Sequence, residues 1–157
     1  MKIRISAHNL NLIHTHGEST YPEEGAGLLL GKAEGDSRTV TAVLILSNAR
    51  EDDARHNRYL LTPQDMFYGE READKLGLDV IGIFHSHPDH PNQPSEYDRE
   101  WAIPWYSYII TSVSEGRAVE SRCWRLVDDR EQFEEESIQV VSRESSTIPM
   151  LKNLDSR

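Results

Sequence analysis

The chain has 157 residues, 28% of them charged and 37% hydrophobic, with 27 acidic against 17 basic side chains and a formal net charge of −10. One domain around one core is the simplest reading of that length, and the acidic balance argues against nucleic-acid binding, which needs a surface that neutralises phosphates. A single cysteine, Cys123, excludes an internal disulfide framework and thiolate zinc-finger patterns, no apolar run approaches the roughly 18 residues that span a bilayer, and the cytoplasm is the expected location.

Lys2-Ile3-Arg4-Ile5 alternates as a first strand and has no signal-peptide character. Ser6 is placed to cap a helix in which Ala7, Leu10, Ile13 and His14 fall at helical spacing, with Gly17 as its expected stop. Tyr21-Pro22-Glu23-Glu24-Gly25-Ala26-Gly27 then leads into Leu28-Leu29-Leu30-Gly31, a buried strand whose glycines let backbones approach closely. Glu34-Gly35-Asp36-Ser37 is a turn and Val40 to Leu46 a second apolar run, so these segments pair as a hairpin. Residues 48–58, His56 among them, are polar and expected to loop. Thr62-Pro63-Gln64-Asp65 starts a helix with a capping threonine, proline at the first position and a carboxylate at the third. Met66, Phe67, Ala73 and Leu76 are its expected buried face, and Gly77 its end.

Val80-Ile81-Gly82-Ile83-Phe84 is a strand that runs directly into His85-Ser86-His87-Pro88. Pro88, Pro91 and Pro94 stiffen the next loop, and Ser95-Glu96-Tyr97-Asp98 opens a short helix that Pro104 must end or bend. Tyr106 to Val113, Ala118 to Val127 and Phe133 to Val141 complete an antiparallel series. The acidic stretch from Asp128 to Glu136 reads as a solvated turn and strand edge. Residues 142–157 lose pattern and read as a tail, which leaves residues 1–141 as the folded domain. The order of elements predicts an α/β fold with one mixed sheet and two main packing helices.

His85 and His87 are two apart at a strand end, so an extended backbone sends both imidazoles to one face and Ser86 to the other. Asp98 lies one turn into the next helix, where the proline-rich loop can fold it back. Two neutral imidazoles and one carboxylate suit one zinc ion, and three protein ligands leave a fourth position open for water, the catalytic arrangement. Such a site also needs a base, and Glu24, or its neighbour Glu23, stands at the mouth of the glycine-rich strand. His14-Thr15-His16 is a second His-x-His, but a two-residue step on a helix points its side chains to different faces. His90 sits in the site loop, within reach of a substrate but expected in solvent. Cys123 is expected to be a small packing residue. Trp101 and Trp105 are read as core, with a groove wall as the alternative for Trp105.

Pro22-x-Glu24-x-x-Gly27 with Leu-Leu-Leu-Gly, His85-x-His87-Pro88 and Ser95-x-x-Asp98 together resemble the JAMM (MPN-plus) metalloprotease family, also called Mov34/MPN/PAD-1. The resemblance covers about residues 2–141. It implies a curved mixed sheet between helices, related in architecture to the cytidine deaminases. It also implies zinc held by His85, His87 and Asp98, Glu24 as general acid/base, and Ser95 as hydrogen-bond donor to the oxyanion. Ala26 stands where many members have cysteine, a departure that touches no catalytic position. The short span before Thr62 looks like the minimal stand-alone prokaryotic type. That type implies hydrolysis after the Gly-Gly tail of a ubiquitin-like sulfur-carrier protein, with lysine, a peptide or cysteine as leaving group. The alternatives are a non-catalytic scaffold of the same fold, against which every filled motif position argues, and a zinc deaminase, whose Cys-x-x-Cys ligand pair one cysteine cannot supply.

Overall fold

The apolar runs of the sequence become strands of one mixed sheet. The computed structural model describes residues 1–48, 59–126 and 132–141, and the backbone of 151–152. In chain order it has β1 (Lys2–Ser6), α1 (Ala7–Thr20), β2 (Ala26–Glu34), β3 (Ser37–Leu46), α2 (Pro63–Lys75), β4 (Asp79–Pro88), α3 (Glu96–Trp101), β5 (Ser107–Ser114), β6 (Arg117–Leu126), β7 (Phe133–Val141) and β8 (Leu151–Lys152). Of residues 142–157, read above as a tail, only β8 is described, paired parallel to β3 at Leu44↔Leu151. His56 and Val127 lie outside the described residues.

The sheet order is β1-β7-β6-β5-β4-β2-β3-β8, and β1 also pairs with β3. β1 runs parallel to β7, from Lys2↔Ser137 to Ser6↔Val141, and parallel to β3, from Lys2↔Ser37 to Arg4↔Thr39. This five-residue strand therefore bridges the two ends of a strongly curved sheet and satisfies backbone groups that open edges would leave exposed. β4 lies in the middle, antiparallel to β2 and parallel to β5.

Alternation sorts the core into two layers. Leu29, Val43, Ile81, Phe84 and Ile109 pack with Ile3, Ile5 and Ile13 of α1 on one face. Leu28, Leu30, Leu44, Ile83 and Tyr108 pack with Ala73 of α2 on the other. The three leucines of β2 are wholly buried, each contributing about 1.5–3 kcal/mol. Cys123 is buried in the first layer, a packing residue as expected.

The structure corrects three sequence readings. Ser6 caps α1, its Oγ accepting from Asn9 N at 2.9 Å, but the helix runs past Gly17 to Thr20. A Cβ on Gly17 would lie 3.1 Å from Val113 Cγ2 and 3.2 Å from Ser86 Cβ, so this glycine allows close packing rather than a stop. The Thr62–Asp65 capping box forms (Thr62 N→Asp65 Oδ2 2.7 Å, Asp65 N→Thr62 Oγ1 3.1 Å) and Gly77 follows the helix at φ +70°. The buried face of α2 is nevertheless Asp65, Gly69 and Ala73, while Phe67 is 63% exposed and Leu76 also faces outward. A Cβ on Gly69 would lie 2.1 Å from Leu28 Cδ1; the helix sits so near the sheet that small residues must face it. Finally, Trp101 is 66% and Trp105 49% exposed, so neither is core. The inward positions around α3 are taken by Asp98 and Ala102, and Trp105 instead lies over the Arg38 guanidinium, 4.3 Å from Cζ to ring centroid.

Candidate metal centre

β4 carries its hydrogen-bonded register through the histidines, with His85↔Ile110 and His87↔Ser112 against β5. Period-two alternation therefore places both imidazoles on one face, their centroids 5.0 Å apart, and both are buried. α3 supplies Asp98 from its third position. Ser95 Oγ accepts from Asp98 N at 3.1 Å, and Asp98 Oδ2 accepts from Ser95 N at 2.8 Å. That capping box fixes the carboxylate where Oδ2 lies 3.1 Å from His87 Nε2 and Oδ1 3.5 Å from His85 Nε2. Glu24 arrives from the loop between α1 and β2, is buried, and places Oε1 3.5 Å from His85 Nδ1. Glu23 is only half-buried beside it.

Glu24, His85, His87 and Asp98 thus gather in one buried cluster, with the two carboxylates at different nitrogens of His85. Glu24, His85 and His87 offer donor atoms that lie within 4.8 Å of one another, and the Asp98 oxygens face the Nε2 atoms of both histidines. Ligands of a tetrahedral zinc at 2.0–2.2 Å would stand about 3.3–3.6 Å apart. The 3.5 Å separation of Asp98 from His85 falls within that spacing, and the 3.1 Å separation from His87 lies a little below it. His85 is 0% exposed, yet neither ring nitrogen makes a hydrogen bond, and Glu24 Oε1 makes none either. Buried polar atoms without partners are costly, and a cation held between Asp98, His87 and His85 Nε2 would satisfy that nitrogen of His85. The residues present fit a metal ion.

Several contacts orient this donor set. His87 Nδ1 lies 2.7 Å from the Pro91 carbonyl, which places the proton on Nδ1 and leaves the Nε2 lone pair toward Asp98. Tyr59 stacks on His85, centroids 4.5 Å apart and planes at 27°. Burial pulls the His87 pKa down, but Asp98, Glu24 and the Pro91 carbonyl outweigh it, so the net direction is up. Burial pushes Asp98 up, and the two imidazoles with the Ser95 N–H more than reverse it, holding the carboxylate well below its ordinary range. Sequence reasoning missed Tyr59 and the Pro91 carbonyl; Tyr59 follows a patternless polar stretch, and a backbone carbonyl leaves no residue-type signal.

A cleft of about 470 Å³ opens over this cluster, lined by Glu24, His87, His90, Ser95 and Tyr97 among others. Ser95 and His90 are both exposed on its wall. The other His-x-His does not join the site. His14 Nε2 bonds Ser121 Oγ at 2.8 Å, and burial lowers its pKa despite nearby Glu18.

The prokaryotic homologs of the JAB domain match this chain over residues 6–127. A desampylase of Haloferax volcanii is 37% identical over 92 residues, 58% of this chain and 63% of that protein. A probable TtuB-protein conjugate cleaving protease of Thermus thermophilus is 31% identical over 100 residues, 62% of this chain and 61% of that protein. The chain therefore spans less than two thirds of either curated relative. The solution structure of a Desulfitobacterium hafniense protein superposes with a TM-score of 0.80 at 27% identity, covering 91% of this chain and 95% of that one.

Proposed function

The chain belongs to the JAMM (MPN-plus) family, among the prokaryotic homologs of the JAB domain, and from that premise we propose that it is a zinc-dependent peptidase or isopeptidase. Its substrate in this reading is the amide bond after the C-terminal Gly-Gly tail of a ubiquitin-like protein, of the sulfur-carrier kind. The leaving group is a lysine side chain, a peptide or cysteine. The observation that carries the reading is His85, fully buried without a hydrogen bond and faced by two carboxylates beneath an open cleft. A relative named for cleaving TtuB–protein conjugates supports a protein conjugate as substrate.

His85, His87 and Asp98 are the proposed ligands. With His87 Nδ1 engaged by Pro91, its remaining nitrogen is Nε2, and the Nε2 atoms of both histidines face Asp98. Glu24 instead meets the far nitrogen of His85, outside that trio. Zinc, when bound, would polarise the scissile carbonyl and acidify a water. Glu24 Oε1, which makes no hydrogen bond within the protein, takes the proton of the attacking water and delivers it to the departing amine. The Ser95 hydroxyl accepts from Asp98 N and so keeps its own proton to donate to the oxyanion. Tyr97, His90 and Pro91 wall the cleft through which the tail must pass.

The test is a panel of sulfur-carrier and ubiquitin-like proteins bearing C-terminal cysteine, peptide or lysine-linked extensions. We expect cleavage after Gly-Gly that a chelator abolishes and zinc restores. Zinc binding with no cleavage of any conjugate would discard the substrate claim; cleavage indifferent to chelation would discard the metal mechanism.

A further inference from the structure

The proposed proton carrier sits on no secondary-structure element. Glu24 lies in the loop ahead of β2, whose ladder with β4 begins at Ala26↔His85. Something must hold that loop against the metal ligands, because a carboxylate displaced by about 1 Å from its working position loses much of its effect.

Ser86 meets that need. It is the middle residue of His85-Ser86-His87 and points away from both imidazoles. Its backbone N–H donates to the Gly25 carbonyl at 3.0 Å, and its Oγ accepts from Gly25 N at 2.8 Å. A regular antiparallel pair would use the facing backbone carbonyl for the second bond. Here the side-chain oxygen takes it, extending the pairing by one residue and clamping the neighbour of Glu24. Ser86 is 2% exposed, so water cannot replace its Oγ cheaply. Two glycines press the clamp from behind. A Cβ on Gly25 would lie 2.7 Å from Thr20 Oγ1 and 2.9 Å from His16 Cδ2, and one on Gly17 would lie 3.2 Å from Ser86 Cβ. The carboxyl half of α1 therefore backs both partners of the bond.

We propose that Ser86 is a positioning residue for Glu24: by accepting the Gly25 N–H it holds the carboxylate over His85, so one tripeptide supplies two metal ligands and sets the place of the base. The inference rests on the assignment of Glu24 as proton carrier. Ser86 touches neither substrate nor reacting atoms; it acts through Glu24.

The experiment uses the zinc-loaded full chain with Ser86→Ala, Ser86→Thr, Glu24→Gln and the Ser86→Ala/Glu24→Gln double variant, on a conjugate that the wild type cleaves. Ser86→Ala should lower kcat about 10- to 100-fold with KM and zinc content unchanged, and Ser86→Thr, which keeps the acceptor, should recover most of it. In the Glu24→Gln background the same substitution should cost less than about 2-fold, because the group it positions is already gone. Amide exchange at Gly25 should quicken about 10-fold or more in Ser86→Ala, a readout that needs no substrate. Equal losses in both backgrounds, or loss of zinc along with kcat, would make Ser86 merely structural. An unchanged Gly25 exchange rate would overturn the clamp even if no conjugate is ever cleaved, whereas a quickened rate in a protein without hydrolytic activity would fault the assigned function and leave the clamp standing.

Discussion

Two clusters of buried charge lie at opposite ends of the parallel β4–β5 pair, and they are satisfied in opposite ways. At the carboxyl end, Glu24, His85, His87 and Asp98 gather Lewis-basic atoms, and His85 makes no hydrogen bond. Near the start of β5, Arg38, Ser107, Cys123, Arg125 and Glu136 form a self-contained network. Arg38 Nη1 donates to Ser107 Oγ at 2.9 Å, Ser107 Oγ to Glu136 Oε1 at 2.8 Å, and Arg125 Nη2 to Glu136 Oε2. Among its fully buried side-chain atoms, only the two Arg Nε atoms are without hydrogen-bond partners. The first cluster has surplus donors for a cation and an open cleft above it. The second brings its own cations, and its one carboxylate is answered at both oxygens. Burial of charge alone does not mark a working site; the sign of what is left over does.

Substitutions should separate the two. The largest effect is expected from His87→Ala, which removes a proposed ligand and should abolish zinc retention and hydrolysis together, read by elemental analysis beside the cleavage assay. Glu24→Gln should keep zinc and lower kcat about 10²- to 10⁴-fold; a fully active variant would remove Glu24 from the mechanism. Glu136→Ala should do the reverse. It strands the buried Arg38 and the partly buried Arg125 guanidiniums and should cost about 3–5 kcal/mol in denaturant unfolding, while the folded fraction keeps wild-type kcat. Zinc at about 100 times its Kd should stabilise the wild type by about 2.7 kcal/mol and leave the His87→Ala variant where it was.

The smallest effect concerns His14, away from both clusters. Burial lowers its pKa below the ordinary 6.5, so the unfolded chain binds the proton more readily than the folded one. Its neutral form is compatible with folding above the unfolded pKa, and stability falls as pH drops through 6.5 toward the folded value. His14→Asn should flatten the melting-temperature profile between about pH 7.5 and about pH 5. An unchanged slope would assign that acid sensitivity elsewhere.

Much of the site could be read from the chain because its parts are local. Alternation along β4 suffices to put His85 and His87 on one face, and a three-residue step suffices for the Ser95–Asp98 box. The capping box at Thr62 and the hairpin of β2 with β3 were legible for the same reason. The faces of the helices were not. Phe67, Trp101 and Trp105 have the bulk of core residues, but Gly69, Asp98 and Ala102 hold the inward positions, because the spacing between layers decides which side chains fit.

By itself the sequence determined the order of the candidate chemistry along the chain: a glutamate ahead of a glycine-rich strand, a His-Ser-His tripeptide suited to a metal, and a capped helix bringing a carboxylate. Local periodicity and capping operate over two to four residues, and that distance is written in the residue types. Only the tertiary structure decided that β1 bridges β3 and β7 to close the curved sheet, that Gly17 admits α1 against Ser86, and that Gly25 is held by Ser86, 61 positions away. Those pairings join segments distant in the chain, and no spacing within either segment encodes its partner.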